Sequence, residues 1–253
     1  DKELCAKTRK IVKDIDWPCE VYHRYLETNE GCKINVSNAI SWFFNNVKEG
    51  IILEDDCLPH SSFFQFCQEL LKHYRNNERI KLISGDNFQF GKKRGEASYY
   101  FSRFPHIWGW ATWKRAWNEY DVSIKTYPEF KKDNKISAIF DDKKMQKYWM
   151  NLFKKLYQNK IDTWDGQLAY ALYQNDGIAI LPNVNLVTNI GFTDNATHTR
   201  VKNMFSDMPS KSMDTIIHPS KIEISKEADA FYDSFLIKSL FQRIMIKAKS
   251  YAM

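Results

Sequence analysis

Apolar positions in the first ninety residues alternate between helical spacing and short continuous runs. Helical spacing occurs over residues 1–15, 36–47 and 63–74, and short apolar runs over residues 20–24, 51–53 and 80–83. A chain that alternates helix and strand in this way is typical of a parallel sheet with crossover helices. We therefore predict an α/β fold: a mostly parallel twisted sheet with helices on both faces.

The second half of the chain is less regular. Residues 89–98 are polar and predict a mobile loop, and residues 99–117 are dense in aromatic side chains. Two further helices and one strand are predicted at 145–157, 167–174 and 178–181, and residues 228–253 form a basic amphipathic pattern. We predict a main domain over 1–215 and a basic helical extension over 216–253. A parallel sheet needs one more strand at the start, so we expect an N-terminal βα unit to be missing from this sequence.

Composition narrows the class of partner. The formal net charge of +6 suits polyanionic substrates or an anionic membrane surface and does not by itself indicate nucleic acid. The five cysteines are odd in number and form no C-x-x-C pair, which favours reduced thiols and a cytoplasmic protein. The amphipathic tail favours peripheral contact with a membrane surface, at the inner face of the membrane.

The strongest chemical signal is a run of three carboxylates, Glu54-Asp55-Asp56, directly after the strand at 51–53. Ligands of open α/β sheets bind at the carboxyl ends of strands. A hard divalent cation, with phosphate oxygens completing its shell, is a natural partner for such carboxylates. An ordinary acidic loop is the alternative.

Other candidates have equally ordinary alternatives. Asp165, between Trp164 and Gly166, could be a general base, although a helix N-cap is the simpler interpretation. Gly109 lies between two tryptophans and indicates a close backbone approach within a core or to a ligand. His198 could bind a metal or a phosphate, or be a solvated surface histidine. His106 receives no role.

The order of these motifs resembles the A-type nucleotide-diphospho-sugar transferases, in particular bacterial family-2-like glycosyltransferases and, more distantly, N-acetylglucosaminyltransferase I. The resemblance covers roughly residues 20–200. It rests on Asn29-x-Gly31, Asn38, Glu54-Asp55-Asp56, Pro59, Phe63-Phe64, Ser84-Gly85-Asp86-Asn87, Arg103, Gly109-Trp110 and Trp164-Asp165.

The resemblance implies a Rossmann-like fold and an inverting, metal-dependent transfer in bacterial polysaccharide synthesis. The donor would be a nucleotide sugar, namely a uridine diphosphate sugar, and the acceptor a glycan or a lipid-linked glycan. Asp56 and His198 would bind Mn²⁺ or Mg²⁺, and Asp165 would be the catalytic base. Substrate contacts would come from Glu54, Asp55, Ser84, Gly85, Asp86, Arg103, Gly109, Trp110 and Trp164. Gly166 departs from the pattern, because relatives have a second acid there.

Two other functions stay open. The chain could be a non-catalytic sugar- or nucleotide-binding domain derived from such an enzyme, which the missing N-terminal unit favours. It could also be a metal-dependent phosphoesterase, although such sites usually take ligands from several segments and the sequence offers one acid cluster.

Overall fold

A computed structural model describes residues 2–13, 15–192 and 204–236 of the chain. The strands are β1 (Glu49–Ile52), β2 (Cys57–Pro59), β3 (Ile80–Ser84), β4 (Tyr99–Ser102), β5 (Trp110–Trp113), β6 (Ile178–Pro182) and β7 (Val187–Asn189). The helices are α1 (Lys2–Ile11), α2 (Gly31–Asn46), α3 (Ser61–His73), α4 (Lys114–Trp117), α5 (Tyr127–Lys132), α6 (Ile136–Ile139), α7 (Lys143–Tyr157) and α8 (Asp165–Gln174). Residues 226–236 are also helical, and we call them the C-terminal segment.

The main sheet is mixed, so the predicted α/β class is confirmed but the mostly parallel sheet is not. Its strand order is β1-β5-β3-β6-β4, in which only β3 and β6 pair in parallel and the other three pairings are antiparallel. The antiparallel strands β4 and β5 both come from the aromatic stretch 99–117. Its aromatic and β-branched residues favour strands, but the sequence showed no period there from which to assign them.

The predicted cover of helices on both sheet faces is confirmed. Neighbouring residues of β3 point to opposite sides: Leu82 belongs to a core that includes residues of α2, α7 and α8, and Ile83 to a second core that includes residues of α3. Because side chains of a strand alternate between faces, the buried strands β3, β5 and β6 each contribute to both cores. The sheet is therefore the middle layer of the molecule.

One end of this sheet gathers the polar strand ends. Strand β5 is antiparallel to both β1 and β3, so β1, β3 and β6 run in the same direction. Their carboxyl ends share one end of the sheet, which we call the carboxyl edge. Trp110, the first residue of β5, pairs with both Ile52 and Ser84 at this edge. The short β2–β7 ladder continues from it, with Cys57 opposite Asn189.

Helix α2 begins earlier than predicted because a distant side chain caps it. Gly31 has φ of +78°, a conformation that suits glycine. The backbone N–H groups of Cys32 and Lys33 donate to the Asp162 carboxylate at 3.2 and 3.1 Å. This satisfies two N–H groups of the first turn that have no intrahelical partner. It also ties α2 to the loop that precedes α8.

The N-terminal part of the chain departs from the prediction in one element. Helix α1 forms as predicted, but none of its residues is buried. The strand predicted at 20–24 is wrong: these residues have no regular secondary structure, and all of them except Arg24 are exposed. Val21 and Tyr22 are largely exposed, so a short apolar run did not indicate a buried strand here. None of the helices within the described ranges has the length and apolar character needed to cross a bilayer.

The C-terminal segment packs on the outer strand β4. Ser225 N–H donates to the Phe101 carbonyl at 2.8 Å. The buried Asp229 carboxylate accepts hydrogen bonds from Ser102 Oγ at 2.6 Å and from Arg103 Nε at 2.9 Å. The predicted domain boundary at 215 stays a prediction, and the rest of the predicted amphipathic helix, residues 237–253, lies outside the described ranges.

Candidate functional site

The three predicted acids lie in the turn between β1 and β2, at the carboxyl edge. Asp55 is exposed, whereas Glu54 and Asp56 are half-buried. The turn is held by Cys57 N–H donating to the Glu54 carbonyl at 3.1 Å and Ile190 N–H donating to the Asp56 carbonyl at 2.8 Å. A Cβ at Gly191 would lie 2.2 Å from Asp56 Oδ2, so the glycine leaves room for this carboxylate.

Negative charge accumulates around Glu54. Burial raises its pKa to about 7, with further contributions from the carboxylates of Asp56, Asp165 and Asp55 in that order. Among the described residues, no lysine, arginine or histidine forms an ion pair with any of these four acids. Four neighbouring carboxylates without a cation form an environment that suits a hard divalent ion.

Asp165 joins this group from a different element. It is the first residue of α8 and is exposed. Its Oδ1 accepts hydrogen bonds from the Thr163 hydroxyl and from Gly166 N–H, the latter at 2.8 Å. Its Oδ2 has no hydrogen-bond partner in the part of the chain that the structure describes. One oxygen therefore fixes the carboxylate and the other is available to a ligand.

A cavity of about 170 Å³ opens beside Asp165. Its walls come from α7, α8, the stretch between β4 and β5, and the C-terminal segment. Besides Asp165, the residues that line it are mostly aromatic or apolar and include His106, Trp149, Tyr232 and Leu236. Neither Glu54 nor Asp56 lines this cavity. Aromatic walls with a few polar groups are typical of sites for small ligands, including sugars.

A buried polar pair lies between the cavity and β3. His106 and Asp86 are 5% and 1% exposed, and His106 Nδ1 lies 3.6 Å from Asp86 Oδ2. Burial lowers the pKa of His106 to about 3 and raises that of Asp86 to about 7. Both ring nitrogens of His106 and Asp86 Oδ2 have no hydrogen-bond partner within the described residues. Burial of polar groups without a hydrogen-bond partner costs folding free energy, so this pair is an unusual feature of the wall of the cavity.

The predicted residues at the end of β3 are structural supports in this conformation. The Ser84 hydroxyl lies 2.6 Å from Asp86 Oδ1 and 2.8 Å from the His106 carbonyl oxygen. Gly85 N–H donates to the Gly109 carbonyl at 2.7 Å, and Gly109 has φ of +69°. A Cβ at Gly109 would lie 2.8 Å from Val187 Cγ2. The close approach that the sequence predicted at Gly109 is thus to a neighbouring part of the protein.

Three predicted substrate contacts are not brought to the surface of the site. Trp110 and Trp164 are buried and stack on each other with ring centroids 5.7 Å apart, so the core interpretation describes them better. Arg103 follows β4 at the amino end of β6, pairs with Asp229 and lies over the Phe140 ring. It is therefore at the opposite end of the sheet from the acids. His198 lies outside the described residues.

Sequence reasoning missed His106, Thr163 and Tyr232. His106 stands alone between two strands in an aromatic stretch, which was a weak signal. Thr163 precedes Trp164 by one residue and carries a hydroxyl two positions before Asp165, so the local sequence contained it. Tyr232 reaches the cavity only through the docking of the C-terminal segment, and no local pattern indicates that.

Comparison with known proteins adds no family to this description. A scan against protein-family models and a search of curated proteins each returned no match for the chain.

Proposed function

We propose that the chain is an inverting glycosyltransferase that moves a sugar from a nucleotide diphosphate donor to a glycan or lipid-linked acceptor. One observation carries this proposal: four carboxylates, at positions 54, 55, 56 and 165, meet at the carboxyl edge without a cationic partner among the described residues, beside an aromatic cavity. A diphosphate sugar with a divalent ion complements that charge, and the cavity complements a sugar ring.

The residues divide into two roles. Asp56 and Glu54 supply carboxylate oxygens of the kind that Mn²⁺ and Mg²⁺ prefer, which is why the site fits either ion. When bound, such an ion would supply positive charge for the departing diphosphate. Asp165 would accept the proton of the acceptor hydroxyl at Oδ2, while Thr163 and Gly166 hold its other oxygen. The acceptor would occupy the cavity, so its hydroxyl lies near that oxygen.

The test combines binding and turnover. We expect Mn²⁺ together with a nucleotide diphosphate sugar from a panel to raise the melting temperature, because a ligand that binds only the folded state stabilises it. Asp56→Ala should abolish the Mn²⁺-dependent part of this shift. Asp141→Ala, which removes an exposed carboxylate just before α7, is the matched control and should keep it.

Turnover separates catalysis from binding. Asp165→Asn should keep the donor-induced shift but lower the release of nucleoside diphosphate by about 10²-fold or more, since a general base typically contributes that much. Normal turnover in Asp165→Asn would reject this base. A donor-induced shift in the wild-type chain without any turnover would instead identify a non-catalytic binding domain.

A further inference from the structure

A second group of potential metal ligands includes two side chains from the end of α3. Glu69 and His73 are four residues apart, so they share one face of this helix. His218 comes from the stretch that precedes the C-terminal segment. One ligand atom from each of the three residues lies within 4.8 Å of the others, and this is the only such group that the described residues form.

The three side chains already contact one another. His218 Nε2 lies 3.6 Å from Glu69 Oε1. The His73 and His218 rings stack with centroids 4.1 Å apart and an angle of 12° between their planes. Ligand atoms of a tetrahedral zinc ion with bonds of about 2.0–2.1 Å are separated by about 3.4 Å. The Glu69–His218 distance is close to that value, and the exposed His73 ring needs a side-chain rotation to complete the set.

Hydrogen bonds orient His218 for such a role. Its Nδ1 lies 2.8 Å from the Tyr99 hydroxyl, which lies 2.7 Å from the buried Tyr74 hydroxyl. A relay in which Nδ1–H donates to Tyr99 and Tyr99 donates to Tyr74 leaves Nε2 with a lone pair directed to Glu69. Metal-bound histidines usually have their second nitrogen fixed in this way.

The backbone around His218 is also held in place. Ser98 and Ile217 exchange two hydrogen bonds: Ser98 N–H donates to the Ile217 carbonyl at 2.9 Å, and Ile217 N–H donates to Ser98 Oγ at 2.8 Å. Met213 N–H donates to Ser62 Oγ at 3.0 Å, near the start of α3. Residues 213–218 therefore extend from the first turn of α3 to its last, and we call them the α3 arm.

We propose that Glu69, His73 and His218 form a zinc site that fastens the α3 arm to the end of α3. Two imidazoles and one carboxylate are a ligand set that zinc takes in proteins, with water in the fourth position. Imidazole ligands favour Zn²⁺ over Mn²⁺ and Mg²⁺, which prefer oxygen. The site is thus chemically distinct from the acid cluster and does not depend on the proposed transferase activity.

Calorimetric titration of the full chain with ZnCl₂ tests the site. The exposed thiols Cys5 and Cys19 are alternative zinc ligands, so the titration uses a Cys5→Ser/Cys19→Ser background. We expect one zinc ion per chain, with His73→Ala and His218→Ala each weakening binding by at least tenfold. His23→Ala, which removes an exposed histidine stacked on Tyr25 instead, should bind zinc as the background does. MnCl₂ should not compete for this site.

Two further measurements protect the conclusion. Zinc should raise the melting temperature of the background chain but not that of His218→Ala, and circular dichroism without metal should show that both histidine variants fold. Asp56→Ala should keep full zinc binding, so a failure of the transferase proposal would leave this one standing. The proposal would be overturned if the background chain did not bind zinc. It would also be overturned if His73→Ala or His218→Ala bound zinc as tightly as the background chain does.

Discussion

At the scale of single residues, the sequence located the acids but not their environment. A strand followed by Glu54-Asp55-Asp56 predicted carboxylates at a sheet end, and β1 delivers them there. Proximity of Asp165 followed only from the family resemblance, because it depends on how α8 packs. The burial of Trp110 and Trp164 against each other could not be predicted from the same letters, since an indole suits a core and a sugar site equally well.

The raised pKa of Glu54 gives a pH-dependent prediction. Its carboxyl group titrates near 4.5 in the unfolded chain and at about 7 in the folded one. The folded state therefore binds a proton more tightly than the unfolded chain. The contribution of Glu54 to the free energy of unfolding is fully present below pH 4.5 and is lost as the pH rises to 7. Glu54→Gln removes this loss, so the stability of the variant relative to wild type should rise by about 1–3 kcal/mol from pH 5 to pH 8, after allowance for partial exposure.

Urea unfolding of both proteins at pH 5 and pH 8, without divalent ions, measures the difference. Asp86 and Asp233 also have pKa values raised to about 7 by burial, but they are present in both proteins and cancel. Glu223→Gln, at an exposed site, should follow the wild-type profile. If Glu54→Gln did so too, the uncompensated charge around Glu54 would be disproved.

Gly109 provides a second residue-scale prediction. Alanine at this position would combine a positive φ with a Cβ only 2.8 Å from Val187 Cγ2, so Gly109→Ala should cost about 2–4 kcal/mol of unfolding free energy. In a Val187→Ala background the cost should fall by about 1 kcal/mol, because part of the clash disappears. Chemical denaturation of the four proteins of this cycle supplies the test, and an unchanged cost in both backgrounds would refute the steric explanation.

At the scale of elements, regular helices were predictable and the C-terminal attachment was not. Helices α3 and α7 match the sequence period within two residues. In contrast, the docking of the C-terminal segment depends on Asp229, whose partners Ser102 and Arg103 are more than a hundred residues away. An amphipathic period predicts a helix but does not state what its apolar face will cover.

Removing Asp229 should therefore release this element. Asp229→Ala leaves Arg103 and Ser102 without their buried acceptor, and we expect a loss of about 2–4 kcal/mol in unfolding free energy with faster proteolysis within residues 226–236. Glu223→Ala is the matched control: it removes an acid six positions away whose side chain is 72% exposed and pairs with Lys221, itself 74% exposed. Exposed pairs contribute less than about 1 kcal/mol. Equal losses in both variants would show that the buried pair does not anchor the segment.

At the scale of the whole molecule, the α/β class and the two-sided cover were predictable, and the strand directions were not. Two antiparallel strands enter the sheet from a stretch without hydrophobic period, so the sequence offered no means to place β5 between β1 and β3. The order of elements before residue 90 was sufficient to predict the fold class but not which strands pair with each other. Pairing is decided by long-range contacts that short windows do not contain.

The two ends of the chain should contribute unequally to stability. Helix α1 buries none of its residues, so deleting residues 1–15 should change the melting temperature by no more than about 2 °C. Deleting residues 226–253 removes the buried Ala228 and Asp229 and should lower it clearly more. Differential scanning calorimetry of the two shortened chains compares them, and a larger loss from the first deletion would contradict the described packing.

Tyr232 and Leu236 form one wall of the cavity beside Asp165, and this has a thermodynamic consequence. Occupancy of the cavity and attachment of residues 226–236 are linked equilibria, because the attached helix supplies part of the cavity wall. By reciprocity, a molecule that gains affinity from this wall must tighten the hold on residues 226–236 by the same factor. Solvent exchange of the amide hydrogens in that helix would then slow in proportion to ligand saturation, which identifies a molecule that binds the cavity without any measurement of turnover.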